Sequence, residues 1–197
     1  MDICLYMLSL ARPLSEGEAR AMLARLPEAL REHLAGRKGA KRDASLCAYA
    51  LLRRALHDRC GREELPEVAF TARGKPYFPS CPDVFFSLSH TRGAVLLALH
   101  EQSVGADIER LRPVSERMRA RFHAADEAAF WQNWVQRESC CKRRGISAVA
   151  LRGREVPAVP DERVFSLAPA GGYSAAVCTA SGDRPGKLIR LTVKELI

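Results

Sequence analysis

The sequence lacks the short spacings that would staple a small fold together. Its seven cysteines (Cys4, Cys47, Cys60, Cys81, Cys140, Cys141 and Cys178) are odd in number and contain no C-x-x-C pair, which indicates neither a disulfide framework nor a zinc site. Such a set belongs in a reducing compartment, so a cytoplasmic protein is expected. No apolar run approaches the roughly 20 residues that a membrane helix needs. The apolar start, Met1 to Leu8, has Asp2 where a secretion signal carries basic residues, and it reads as a first strand. Aromatics make up only 7% of the chain. They are not interleaved with basic residues in the way that stacks bases, and no RNP, KH or zinc-finger signature is present. No Gly/Ser-rich or low-complexity linker interrupts the chain, so any separate parts are expected to pack rigidly.

What the chain does have is size and positive charge. With 197 residues, 47% of them hydrophobic, it can bury one large core or two small ones packed together. A formal net charge of +8 favours an anionic partner: nucleic acid, a phosphorylated small molecule, an acidic protein or a membrane surface. Charge alone does not choose among them.

Helical spacing of apolar residues runs from Pro13 to Leu34 with a break at Pro27, and a second helix is predicted from Asp43 to Leu56, ending at Cys60-Gly61. Between them Arg37, Lys38, Lys41 and Arg42 form a basic cluster. A short strand is predicted over Val68 to Thr71, followed by a turn at Arg73-Gly74-Lys75-Pro76. Two strand-like runs, Phe85 to Leu88 and Ala94 to Leu99, predict a hairpin with Ser89 to Gly93 as its loop. Phe86-Ser87-Leu88 recurs 79 positions later as Phe165-Ser166-Leu167, again followed by a glycine-bearing loop and a small-plus-apolar run. The expectation is therefore an α+β pseudo-dimer of two similar halves, residues 1–105 and 106–197, each a small sheet packed on a long helix.

Chemistry concentrates at two stretches, Val104 to Glu109 and Arg137 to Lys142. On a strand, positions two apart share a face, so Asp107 and Glu109 point one way; on a helix, positions four apart do, so Glu138 and Lys142 point one way. Three carboxylates and an ammonium suit a metal–phosphate site, with Mg²⁺ or Mn²⁺ held by oxygen ligands and the lysine on leftover phosphate charge. The bland alternative is a solvated strand end and an ordinary i,i+4 ion pair.

Four motifs in order carry a resemblance: Gly74-Lys75-Pro76, then Phe86-Ser87-Leu88-Ser89-His90-Thr91, then Val104-Gly105-Ala106-Asp107-Ile108-Glu109, then Trp134 to Lys142. Together they resemble the 4′-phosphopantetheinyl transferases of the larger, pseudo-dimeric type. The match covers residues 37 to 145 well, with Val135 and Arg137 departing from the usual pattern. The resemblance implies transfer of the phosphopantetheine arm of coenzyme A to a serine of an apo acyl or peptidyl carrier protein, releasing 3′,5′-ADP. It implies Asp107, Glu109 and Glu138 as ligands of Mg²⁺, Glu138 as base and Lys142 on the pyrophosphate. It further implies Ser89 and His90 on phosphate oxygens, and Arg42, Lys75 and Pro76 on the nucleotide side of coenzyme A. A monomer that binds neither nucleic acid nor membrane is expected; the alternative is a basic module that binds nucleic acid or another polyanion. Arg117, Arg119 and Arg121 are candidates for steering an acidic carrier.

Overall fold

Pro27 shapes the first helical stretch, because proline lacks the N–H that a helix interior needs and its ring clashes with the preceding turn. In the computed structural model, which describes residues 2–146, 157, 159–169, 171–180 and 182–197, the stretch forms two helices that break there. The order is β1 (Ile3–Ser9), α1 (Glu16–Ala24), α2 (Glu28–Ala35), α3 (Gly39–Cys60), β2 (Ala69–Phe70), β3 (Pro76–Tyr77), β4 (Phe85–Thr91), β5 (Ala94–His100), β6 (Val104–Arg110), α4 (Glu116–Arg121), α5 (Glu127–Arg144), β7 (Arg163–Leu167), β8 (Tyr173–Thr179) and β9 (Pro185–Leu191). Met1, the first residue of the predicted strand, lies outside the described residues. Ser15 and Glu18 form a reciprocal capping box at the start of α1, and α3 ends where Gly61 takes a left-handed conformation, with φ of 64°. The third helix starts at Gly39, four residues before the predicted Asp43, so the basic cluster straddles its N-terminus instead of preceding it.

The chain is α+β. One sheet has the order β4-β5-β1-β9 and a second the order β6-β8-β7. Strand alternation then builds four layers. On the first sheet, Tyr6, Leu8, Phe86, Val95, Leu97 and Leu99 face a core shared with α1, α2 and α3. The opposite face, with Ile3, Leu5, Met7, Ala94, Leu96 and Ala98, packs on Val104, Ala106, Ile108, Ala175 and Val177 of the second sheet. The second sheet's far face is covered by α5. Asp107 and Glu109 alternate with Ala106 and Ile108, so they turn away from the sheet–sheet core and toward α5.

Three features differ from the sequence expectation or extend it. Ser89, His90 and Thr91 belong to β4 itself, paired with Leu96, Val95 and Ala94; the predicted five-residue loop contracts to Arg92-Gly93. Gly93 makes that possible with φ of 83°. The last strand, β9, returns to the first sheet and pairs in parallel with β1. β7 and β8 form the predicted second hairpin, but the repeated triplets differ in register: Phe86 pairs with Leu99 and Phe165 with Val177. No helix among the described residues is long and apolar enough to cross a membrane.

Candidate active site

The junction of β6 with α5 is set by a glycine. A Cβ on Gly105 would lie 2.0 Å from the Ser139 carbonyl oxygen and 2.3 Å from the Arg143 amide nitrogen, so only glycine lets the helix backbone lie this close to the strand. That approach brings Glu138 and Lys142 over the face that carries Asp107 and Glu109. Lys142 Nζ lies 2.7 Å from Asp107 Oδ1. Asp107 is buried, and its second oxygen, Oδ2, is buried without a hydrogen-bond partner. Glu138 has no side-chain hydrogen bond to another described residue. Partial burial and then the neighbouring Asp107 push its pKa above the ordinary carboxylate value; Glu109 adds to this, while Lys142 and Arg137 oppose it.

Strand β4 lies beside β6 at the seam between the two sheets, and its side chains make the connection. Ser87, Ser89 and Thr91 accept hydrogen bonds from the backbone N–H groups of Ala106 (2.9 Å), Ile108 (3.3 Å) and Arg110 (3.3 Å). Ser89 Oγ in turn donates to Asp107 Oδ1 at 2.7 Å, and Thr91 Oγ1 donates to Glu109 Oε2 at 2.9 Å. A hydroxyl has a single proton. In this arrangement the proton of Ser89 goes to Asp107, whereas the resemblance implies a phosphate as its partner. Ser87 and Thr91 were missed as contributors. The available signal was the matched period-2 pattern of Ser87-x-Ser89-x-Thr91 and Gly105-x-Asp107-x-Glu109.

His90 alternates to the other face of β4. There it lines a cleft of about 600 Å³ with Arg12, Lys41, Ala44 and Arg110 beside the N-terminal turn of α3. Crowding by protein atoms, then the cations Lys142 and Arg37, lower its pKa; Asp107 opposes them. The first turn of α3 contains no acid, and helix N-termini favour anions. Arg42, in that turn, pairs with Glu16 at 3.1 Å and with Asp43 at 3.1 Å. Lys75 points into the protein, with Nζ donating to the carbonyls of Arg143 (2.9 Å) and Val104 (3.3 Å). Burial, followed by repulsion from Arg143, brings its pKa down to about 8. Lys75 and Pro76 also line a smaller cleft of about 210 Å³ with Ser87, Leu88 and Lys142. Glu127, the first residue of α5, accepts from the Val114 N–H at 3.0 Å.

Among the described residues, the one group of His, Cys, Asp or Glu ligand atoms that all lie within 4.8 Å of one another is Cys140, Glu162 and Cys178. Both Glu162 oxygens are already engaged by Arg143 and Arg144, which accounts for that carboxylate without an ion. The oxygens of Asp107, Glu109 and Glu138 are spread wider. Their fit to a hard cation rests on oxygen chemistry, on the unpartnered Asp107 Oδ2 and on the burial and neighbouring carboxylates that raise Glu138.

No protein-family model matches the chain. It is 26% identical to the 4′-phosphopantetheinyl transferase Sfp of Bacillus subtilis (strain 168) over 98% of this chain and 99% of that protein. It is 30% identical to the 4′-phosphopantetheinyl transferase AcpT of Salmonella typhi over 72% of this chain and 79% of that protein. With AcpT of Escherichia coli (strain K12) the identity is 33% over 62% and 67%. The chain belongs to the 4′-phosphopantetheinyl transferases. In this 4′-phosphopantetheinyl transferase the carboxylate–lysine cluster lies between β6 and α5 and the basic cleft beside α3.

Proposed function

We propose that this chain transfers the 4′-phosphopantetheine arm of coenzyme A to a serine hydroxyl of an apo acyl or peptidyl carrier protein, releasing 3′,5′-ADP in a Mg²⁺-dependent reaction, with Mn²⁺ as an alternative ion. The observation that carries this reading is the convergence of Asp107, Glu109, Glu138 and Lys142 on one face, with an unpartnered buried oxygen on Asp107. Asp107, Glu109 and Glu138 would hold the ion. When bound, it offsets pyrophosphate charge and polarises the phosphorus under attack.

The protein's own groups do the rest. Glu138 takes the proton of the carrier serine; its raised pKa brings it closer to the working pH, where a base is most effective. As that proton leaves, a serine oxygen–phosphorus bond forms and the bond from phosphorus to the departing 3′,5′-ADP breaks. Lys142 balances the charge that develops on the departing 5′-phosphate. His90, Lys41 and the first turn of α3 receive the phosphorylated nucleotide end in the larger cleft. Arg42 assists from the same turn once exchanged from Glu16, a partner that is mostly exposed. Lys75 and Pro76 wall the smaller cleft, with the Lys75 ammonium fixing the end of α5.

In this reading the two halves, 1–105 and 106–197, form a pseudo-dimer whose seam is β4 against β6 and whose last strand crosses back to the first sheet. Each sheet backed by a long helix supports it, as does the second hairpin. The enzyme acts as a monomer in the cytoplasm, in keeping with seven free cysteines. The test is to incubate the protein with coenzyme A, Mg²⁺ and an apo carrier and to weigh the carrier. A gain of one phosphopantetheine, lost when the carrier serine is replaced by alanine, is expected; an unchanged carrier mass across fatty-acid, polyketide and peptide-synthetase carriers would contradict the proposal.

A further inference from the structure

We infer that the alternating hydroxyls of β4 act as a rail that aims the carboxylates of the reaction centre, with Thr91 as the positioning residue for Glu109 and Ser89 for Asp107. The inference rests on the reading that those carboxylates hold the divalent ion. β6 is an edge strand of its sheet, and its outward N–H groups need acceptors that the strand ladder does not supply. Ser87, Ser89 and Thr91 supply them at a constant offset of 19 residues, to Ala106, Ile108 and Arg110.

Each bond also fixes the direction of the hydroxyl. With a lone pair occupied by an N–H, the proton has to point elsewhere, and for Ser89 and Thr91 it points at the carboxylate one residue before that N–H, at a constant offset of 18. The carboxylate is thereby held by the same atom that holds its strand. The third step of the rail lacks this second half, because the corresponding residue is Gly105. Ser87 therefore ties the sheets without aiming an acid, and it serves as an internal control. Hydrogen bonds to ligating carboxylates orient them, and losing one typically weakens metal binding about 10- to 100-fold.

The test measures Mn²⁺ binding by electron paramagnetic resonance on the full-length protein with coenzyme A present, with no turnover required. Thr91→Val keeps the side-chain shape and removes the hydroxyl; Mn²⁺ affinity is expected to fall about 10- to 100-fold. Thr91→Ser, which restores the hydroxyl, is expected to restore affinity. Ser87→Ala is expected to lower the melting temperature and leave Mn²⁺ affinity unchanged. Wild-type affinity in Thr91→Val, no rescue by serine, or an equal loss in Ser87→Ala would each overturn the inference. Asp107→Asn separates the two levels. If it abolishes Mn²⁺ binding while Thr91→Val does not weaken it, only the rail fails; if Asp107→Asn binds like wild type, the ion-site reading fails and the rail with it.

Discussion

Among single residues, two acids of the proposed reaction centre are only partly compensated by their surroundings. Asp107 keeps one buried oxygen without a partner, and Glu138 is raised by burial and by two neighbouring carboxylates. Such groups cost stability and persist where function uses them. The sign of the pH dependence follows. Between the ordinary and the raised pKa, folded Glu138 holds a proton that the unfolded chain has lost, so its contribution to stability declines as pH rises through that window. Glu138→Gln is therefore expected to melt higher than wild type at neutral pH in the presence of a chelator, with the gain vanishing in acid, where wild-type Glu138 is protonated. Melting temperatures against pH check this; a lower melting point at neutral pH would show that Glu138 is not strained. His90→Ala is expected to weaken coenzyme A binding by about 1–3 kcal/mol if its ring holds a phosphate, and calorimetry reads this directly.

At the scale of elements, the account turns on how closely α5 lies on β6. Gly105→Ala places a methyl where backbone atoms of α5 already sit, and overpacking of this kind costs about 1–3 kcal/mol or more. Both urea stability and transfer rate should fall, because the helix carrying Glu138 and Lys142 has to move off the strand; wild-type stability would refute the close-approach argument. Much of this level was legible in the sequence. The i,i+2 and i,i+4 spacings placed the four charged residues correctly on their elements, and Pro27 marked a real helix break. What was not legible is tertiary. Nothing local says that Ser89 and Thr91 extend β4 instead of looping, since their strand pairing is stabilised by Leu96 and Ala94 and by the edge of β6. Nor does local sequence show Lys75 turning inward to the end of α5, a direction set by the Arg143 carbonyl 68 residues away and the Val104 carbonyl of β6. The return of β9 to β1 is likewise a long-range pairing with no signature of its own.

For the whole molecule, the net charge of +8 suits the acidic carrier proposed as substrate. α4 forms between β6 and α5 and carries Arg117, Arg119 and Arg121; Arg119 is 3.9 Å from Glu116. If Arg117 steers the carrier, raising salt to several hundred millimolar should raise the carrier KM, since exposed charges are screened within a Debye length of about 10 Å at 0.1 M. Arg117→Glu should reproduce part of that rise without changing coenzyme A affinity, and a carrier KM indifferent to both would remove α4 from the docking surface. The site proposal is narrower than docking: we propose that the arm is transferred at the Asp107–Glu109–Glu138 cluster. Its most direct test is the rate of carrier modification, followed by intact mass, as Mg²⁺ is titrated into wild-type protein and Asp107→Asn. The account predicts a saturable Mg²⁺ dependence for wild type and, for a correctly folded Asp107→Asn, no transfer at any Mg²⁺ concentration that saturates wild type. Transfer by Asp107→Asn at the wild-type rate and with the same Mg²⁺ dependence would contradict it.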